Sequence, residues 1–149
     1  MGMIRPLKGD VDMSYYGHDT CGKTVLSGER FATPDDLYNA LLRCWQADTC
    51  APRMRGEWTA SNPTLGQCSI TAFLVQDLFG GKVYGVPLPD GNFHCFNAVG
   101  NCVFDLTSEQ FGDQKLSYEN CPEQRRDVHF AKAEKRARYE LLKARLQAL

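Results

Sequence analysis

The feature that most constrains this chain is a nearly unbroken apolar stretch, Ile70 to Val75, inside the run CSITAFLVQDLFGG that starts at Cys68. Ile70, Phe73, Leu74, Val75 and Leu78 leave no wide polar face, so a helix built from them must be surrounded by protein. Thr64-Leu65-Gly66-Gln67 fits a capping box at its start, and Gly80-Gly81 is a natural stop. The run is far too short to span a bilayer. It therefore reads as the central helix of a water-surrounded core.

The flanking sequence supplies what would cover that helix. Thr33 can cap a helix that opens with Pro34, Asp35 and Asp36 and carries Leu37, Leu41, Cys44 and Trp45 on one face to about Gln46. Cys50 to Pro63 is broken by prolines and Gly56 and reads as a long loop. Lys82–Val86, Phe93–Val99 and Cys102–Leu106 read as strands, the last two joined by a Gly100-Asn101 hairpin turn. Thr107-Ser108-Glu109-Gln110 opens a short helix, and a last helix runs from about Phe130 to Gln147. The fold class is α+β: an antiparallel sheet of about three to five strands packed against the buried Cys68 helix. With 149 residues, 43% hydrophobic and 23% charged, the chain suits one domain. Residues 1–32 form a loop-rich arm and 130–147 the terminal helix.

Charge excludes some functions. The net charge is −1, so no global field attracts nucleic acid or an acidic membrane. From Pro122 onward the chain nets +4, a mixed-charge helix that reads as a solvated face; its Tyr139, Leu142, Leu146 and Leu149 spacing docks it on its own domain. Met1 to Asp10 lacks the apolar core of an export signal. Pro6 stands where a myristoylated Gly2 would want Ser or Thr. Seven cysteines, an odd number, then suggest free thiols in a reducing cytoplasm. His18, Cys21, Cys44 and Cys50 number enough for a zinc site, but their spacing is not that of a tight pair motif.

Chemistry concentrates on Cys68, His94 and Asp105. Free N–H groups and the dipole at a helix start stabilise a thiolate, which gives Cys68 a reason to be nucleophilic. If Gly100-Asn101 is a two-residue turn, Val99 faces Cys102 and His94 faces Thr107, so Asp105 lies diagonally across from His94 on the same face. A three-residue loop would put the two on opposite faces. An acid in an otherwise apolar strand wants a partner, and an imidazole suits it. Cys68 would attack a carbonyl carbon, His94 would move the proton, and Asp105 would orient the imidazole. Gln67 and the Cys68 amide are candidate oxyanion donors, Gln67 equally a plain capping residue. Trp58 is a candidate wall for the substrate groove, Asn97 falls on the face opposite His94, and His129 reads as a surface residue.

NPTLGQCSITAFLVQDLFGG (62–81), HCFN (94–97), FDLTSEQF (104–111) and RYELLKARL (138–146) together resemble the YunG-like family of small bacterial proteins, over roughly Pro34 to Leu149. That resemblance by itself implies no activity. A helix-start Cys followed by His and Asp on strands is also similar to the papain-like superfamily of peptidases, amidases and transglutaminase-type enzymes. It implies a helix packed on an antiparallel sheet. Two departures stand out: Cys95 and Phe96 follow the His where family members carry Tyr and Trp, and a papain-type oxyanion glutamine lies several residues before the cysteine, where Gln67 is adjacent. The expected function is a cysteine-dependent hydrolase or acyl-transfer enzyme acting on a peptide or small amide or ester. It needs no cofactor and no metal. The alternative is a catalytically inactive binding module of the same fold. The oligomeric state is left open.

Overall fold

The computed structural model describes residues 15–149. The expectations about an export signal in Met1 to Asp10 and about Gly2 lie outside the described residues. The architecture is mixed: a three-stranded antiparallel sheet in the order β1 (Lys82–Pro87), β2 (Phe93–Val99), β3 (Cys102–Phe104), with several helices around it. The hairpin has the two-residue register, pairing Val99 with Cys102, Ala98 with Val103 and Asn97 with Phe104. Gly100 turns the chain at φ +59, where a Cβ would be strained.

The central helix spans Cys68–Phe79 and is buried along most of its length. It begins three residues later than the capping box implied, with Gln67 and not Thr64 at the cap position. Gly66 takes φ +70, which no helix tolerates, so Thr64 cannot cap; its hydroxyl is instead buried without a hydrogen-bond partner. Cys68 thereby becomes the first helical residue. The helix packs on the sheet face that carries Cys95 and Asn97, and the Asn97 amide donates to the Ala72 carbonyl at 2.9 Å. Gly80 and Gly81, at φ +78 and +75, stop it.

Other elements close the core. Thr33 caps the Pro34–Leu41 helix by accepting from the Asp36 N–H at 3.1 Å. This helix ends short of Gln46 because the chain tightens, Cys44 N–H bonding the Leu41 carbonyl at 2.8 Å. Trp45 still reaches the core, its indole N–H donating to Thr71 at 2.9 Å. One cluster of buried side chains joins Tyr15, Leu37, Trp45, Phe73, Phe104 and Leu142. The terminal segment is two helices, Arg126–Phe130 and Ala133–Gln147, in place of one. In the N-terminal arm, His18–Cys21 forms a helical turn and Tyr15 is buried. Among the described residues no helix is long and apolar enough to cross a membrane, and all seven cysteines are unpaired.

β3 is shorter than the expected Cys102–Leu106 strand. At Asp105 the chain leaves β2 and its N–H bonds the Tyr16 carbonyl at 3.0 Å instead. Among the described residues, the first half of β2 therefore has β1 on one side and no strand on the other. That open edge positions the site.

Candidate active site

Cys68 enters the site from the helix start, where no side chain caps the first turn. Its sulfur occupies the open edge of β2, 3.9 Å from the Phe93 carbonyl oxygen and hydrogen-bonded by the Cys95 backbone N–H. Cys68 as a residue is half-buried. His94 projects from β2 and is 1% exposed, as is Asp105. The imidazole Nε2 donates to Asp105 Oδ2 at 2.6 Å, so Nδ1 is the ring nitrogen left for the thiol.

Asp105 is fully satisfied. Besides His94, the Tyr118 hydroxyl donates to Oδ2 at 2.8 Å. The Thr107 N–H and hydroxyl reach Oδ1 at 3.1 and 3.3 Å. Thr107, expected to cap the next helix, thus serves the carboxylate, and Ser108–Phe111 is a single 3₁₀ turn without a side-chain cap. The Phe111 ring packs edge-on against His94 with centroids 4.7 Å apart. Four donors, burial and ring packing fix the imidazole in one orientation.

The charges follow from these contacts. Cys68 is held well below the ordinary cysteine value, first by a hydrogen bond from the Cys95 thiol. The His94 hydrogen bond and charge add to this, against the opposing effect of burial. Burial alone would push His94 down, but the charge and hydrogen bond of Asp105, with Cys68, raise it to about 10. Cys21, Cys44, Cys50 and Cys121 are each pushed up by burial. Cys95 is pushed up by Cys68 as well as by burial. The arrangement favours a thiolate beside an imidazolium.

Cys68 and His94 both line a cavity of about 320 Å³. Gln67 does not: its side chain is fully buried, its Nε2 donating to the Gln46 carbonyl at 3.1 Å and its Oε1 left without a partner. Nor does Trp58, whose indole N–H pins its own loop by donating to the Pro63 carbonyl at 3.0 Å. Phe93, Phe111 and Met54 wall the cavity instead. His18, Cys21, Cys44 and Cys50 do not assemble; among the described residues no group of three or more His, Cys, Asp or Glu is placed to hold a metal.

Sequence reasoning missed Cys95, Tyr118 and the pair His129–Lys135. Strand parity puts Cys95 on the face opposite His94, and only the open edge lets the sulfur of Cys68 meet both. His129 is not a surface group. Its ring is half-buried against Phe73, Nδ1 accepts from Lys135 Nζ at 2.9 Å, and Nε2 contacts the Gln124 amide oxygen at 2.9 Å. Burial and the nearby lysine push it down to about 4, so the ring is neutral and Nε2–H is the donor. The signal available was Lys132-x-x-Lys135, two cations on one helical face.

Comparison with known proteins agrees with the quoted motifs. The chain matches the family described as YunG protein over residues 33–149 and belongs to it. It is 36% identical over 72 residues to the Bacillus subtilis (strain 168) protein named "Uncharacterized protein YunG", covering 48% of this chain. The matched region spans 61% of that relative. No solved structure matches the chain.

Proposed function

We propose that this member of the YunG family is a cysteine-dependent acyl-transfer enzyme or hydrolase. It would act on an amide or ester bond with a papain-like division of labour. The single observation that carries the reading is the continuous contact from an acid-shifted, cavity-lining cysteine through a buried imidazole to a buried carboxylate. Two helical residues or two strand residues alone would not make that line; the open edge of β2 is what supports it.

In this reaction the Cys68 thiolate attacks the carbonyl carbon, forming a C–S bond and a tetrahedral oxyanion. First-turn N–H groups of the Cys68 helix, free of any side-chain cap, stabilise that oxyanion in place of Gln67. As the C–N or C–O bond breaks, His94 Nδ1–H gives its proton to the departing amine or alkoxide. Water, or an amine in a transfer reaction, then attacks the thioester while His94 takes a proton, and the C–S bond breaks. Asp105 keeps Nε2–H occupied throughout, so only Nδ1 exchanges protons. Seven unpaired thiols, one of them reactive, suit a reducing cytoplasm.

The test is a p-nitrophenyl acetate burst followed by intact-mass measurement. One equivalent of p-nitrophenolate per chain with an acetyl group on Cys68, absent in Cys68→Ser, supports the proposal. A burst that persists in Cys68→Ser, or none at any pH, overturns it in favour of a binding module.

A further inference from the structure

The cavity beside Cys68 has a one-sided charge. Arg53, His129, Lys132, Lys135 and Arg138 contribute to its lining, and no aspartate or glutamate does among the described residues. Arg138 is committed elsewhere, to Glu134 and, at 3.0 Å, to the Thr49 carbonyl. Arg53 reaches Asp90 only at 3.9 Å. Among the described residues Lys132 has no acidic partner, and it is exposed. Lys135 is half-buried, and among the described residues its ammonium hydrogen-bonds the neutral His129 ring at 2.9 Å. Two of its N–H bonds therefore remain to be used. Burial disfavours its charge, against the favourable influence of the nearby Cys95 and Cys68 sulfurs, and a substrate anion within reach of its free N–H bonds would add to that favourable side. Exposed apolar side chains also line it, Val128 at 64% and Phe93 at 38% exposed.

Resting on the acyl-transfer reading, we propose that the substrate is a carboxylate-bearing amide or ester, whose carboxylate is received by Lys135 and Lys132 while its apolar body lies against Val128 and Phe93. A single carboxylate matches one half-buried ammonium. A doubly charged phosphate would need more donors than Lys135 has left. One-signed clefts with apolar walls also concentrate such anions.

The experiment compares two alkylating agents of nearly equal size at Cys68: anionic iodoacetate and neutral iodoacetamide. The ratio of their rates cancels the thiolate fraction, so it reports attraction of the anion alone. The expected ratio at low salt is about tenfold above that of N-acetylcysteinamide, and it falls toward the free-thiol ratio as salt rises. Lys132→Gln combined with Lys135→Gln lowers the preference to the part that the His94 imidazolium supports, and Lys132→Gln alone, at an exposed position, lowers it less. Glutarate protects Cys68 from iodoacetamide better than inorganic phosphate does at equal concentration. A free-thiol ratio in the unmodified protein, or a ratio insensitive to Lys132→Gln and to salt, overturns the proposal. So does protection by phosphate equal to or better than by glutarate. Slow, His94-independent alkylation by both reagents would sink the acyl-transfer reading itself. Rapid alkylation with no anion preference leaves that reading standing and removes only this one.

Discussion

Replacing Asp105 by Asn keeps the shape of the buried carboxylate and removes its charge. In the native chain that charge is the first raising influence on a histidine 1% exposed, lifting it to about 10. A free histidine titrates at about 6.5. A value raised from about 6.5 to about 10 would correspond to roughly 5 kcal/mol, and losing one partner of a buried ion pair typically costs about 3–5 kcal/mol. The sign follows from the raised value. The stabilisation is fully present below the unfolded value and is lost as pH climbs through the folded one. The thiol titrates in the opposite sense, so the comparison belongs in a Cys68→Ser background. There, urea unfolding of Cys68→Ser and Cys68→Ser/Asp105→Asn should differ by roughly 3–5 kcal/mol at about pH 6. The gap should shrink to within about 1 kcal/mol by roughly pH 10. A gap that is flat across this range would mean the imidazole is neutral when folded, and the argument for an imidazolium would fail.

Three further outcomes follow from the contacts. Cys95→Ala removes the thiol that first holds Cys68 down, so the alkylation profile of Cys68 should move to higher pH, with a stability loss of about 1 kcal/mol. Asn97→Ala loses the 2.9 Å bond that ties β2 to the Ala72 carbonyl; thermal unfolding should report a loss of about 1–3 kcal/mol with the alkylation profile unmoved. Trp58→Ala should leave iodoacetamide labelling of Cys68 unchanged at every pH, because the indole serves the loop that ends at Pro63 and not the cavity.

Much of this arrangement is legible in the sequence because it is local. Apolar continuity identifies the central helix, the paired glycines end it, and the two-residue turn sets the register that puts His94 and Asp105 on one face. The failures are non-local. Gly66 can start a helix by composition, yet its φ of +70 is set by where the Cys50–Ala51 loop passes, so the helix start shifted and Thr64 lost its capping role. Gln67 and Trp58 looked chemical because of their neighbours in the chain. Their partners, the Gln46 and Pro63 carbonyls, decided otherwise. Cys95 could not be assigned by parity, since its approach to Cys68 depends on β3 stopping at Phe104. The basic wall of the cavity comes from helices far along the chain that fold back over the site. Nothing in the spacing of Lys132 and Lys135 tells what they face.

The most direct test of the account is the pH dependence of iodoacetamide labelling at each cysteine, read by peptide mass spectrometry in the native chain and in His94→Ala. The account expects Cys68 to be labelled fastest at about pH 6.5, with a rate nearly flat between roughly pH 6 and 8. In His94→Ala the rate should climb steeply over that interval, approaching the tenfold per pH unit of an ordinary thiol. A Cys68 that reacts no faster than Cys102 or Cys121 at the lower pH, or a profile that His94→Ala leaves unchanged, would contradict it.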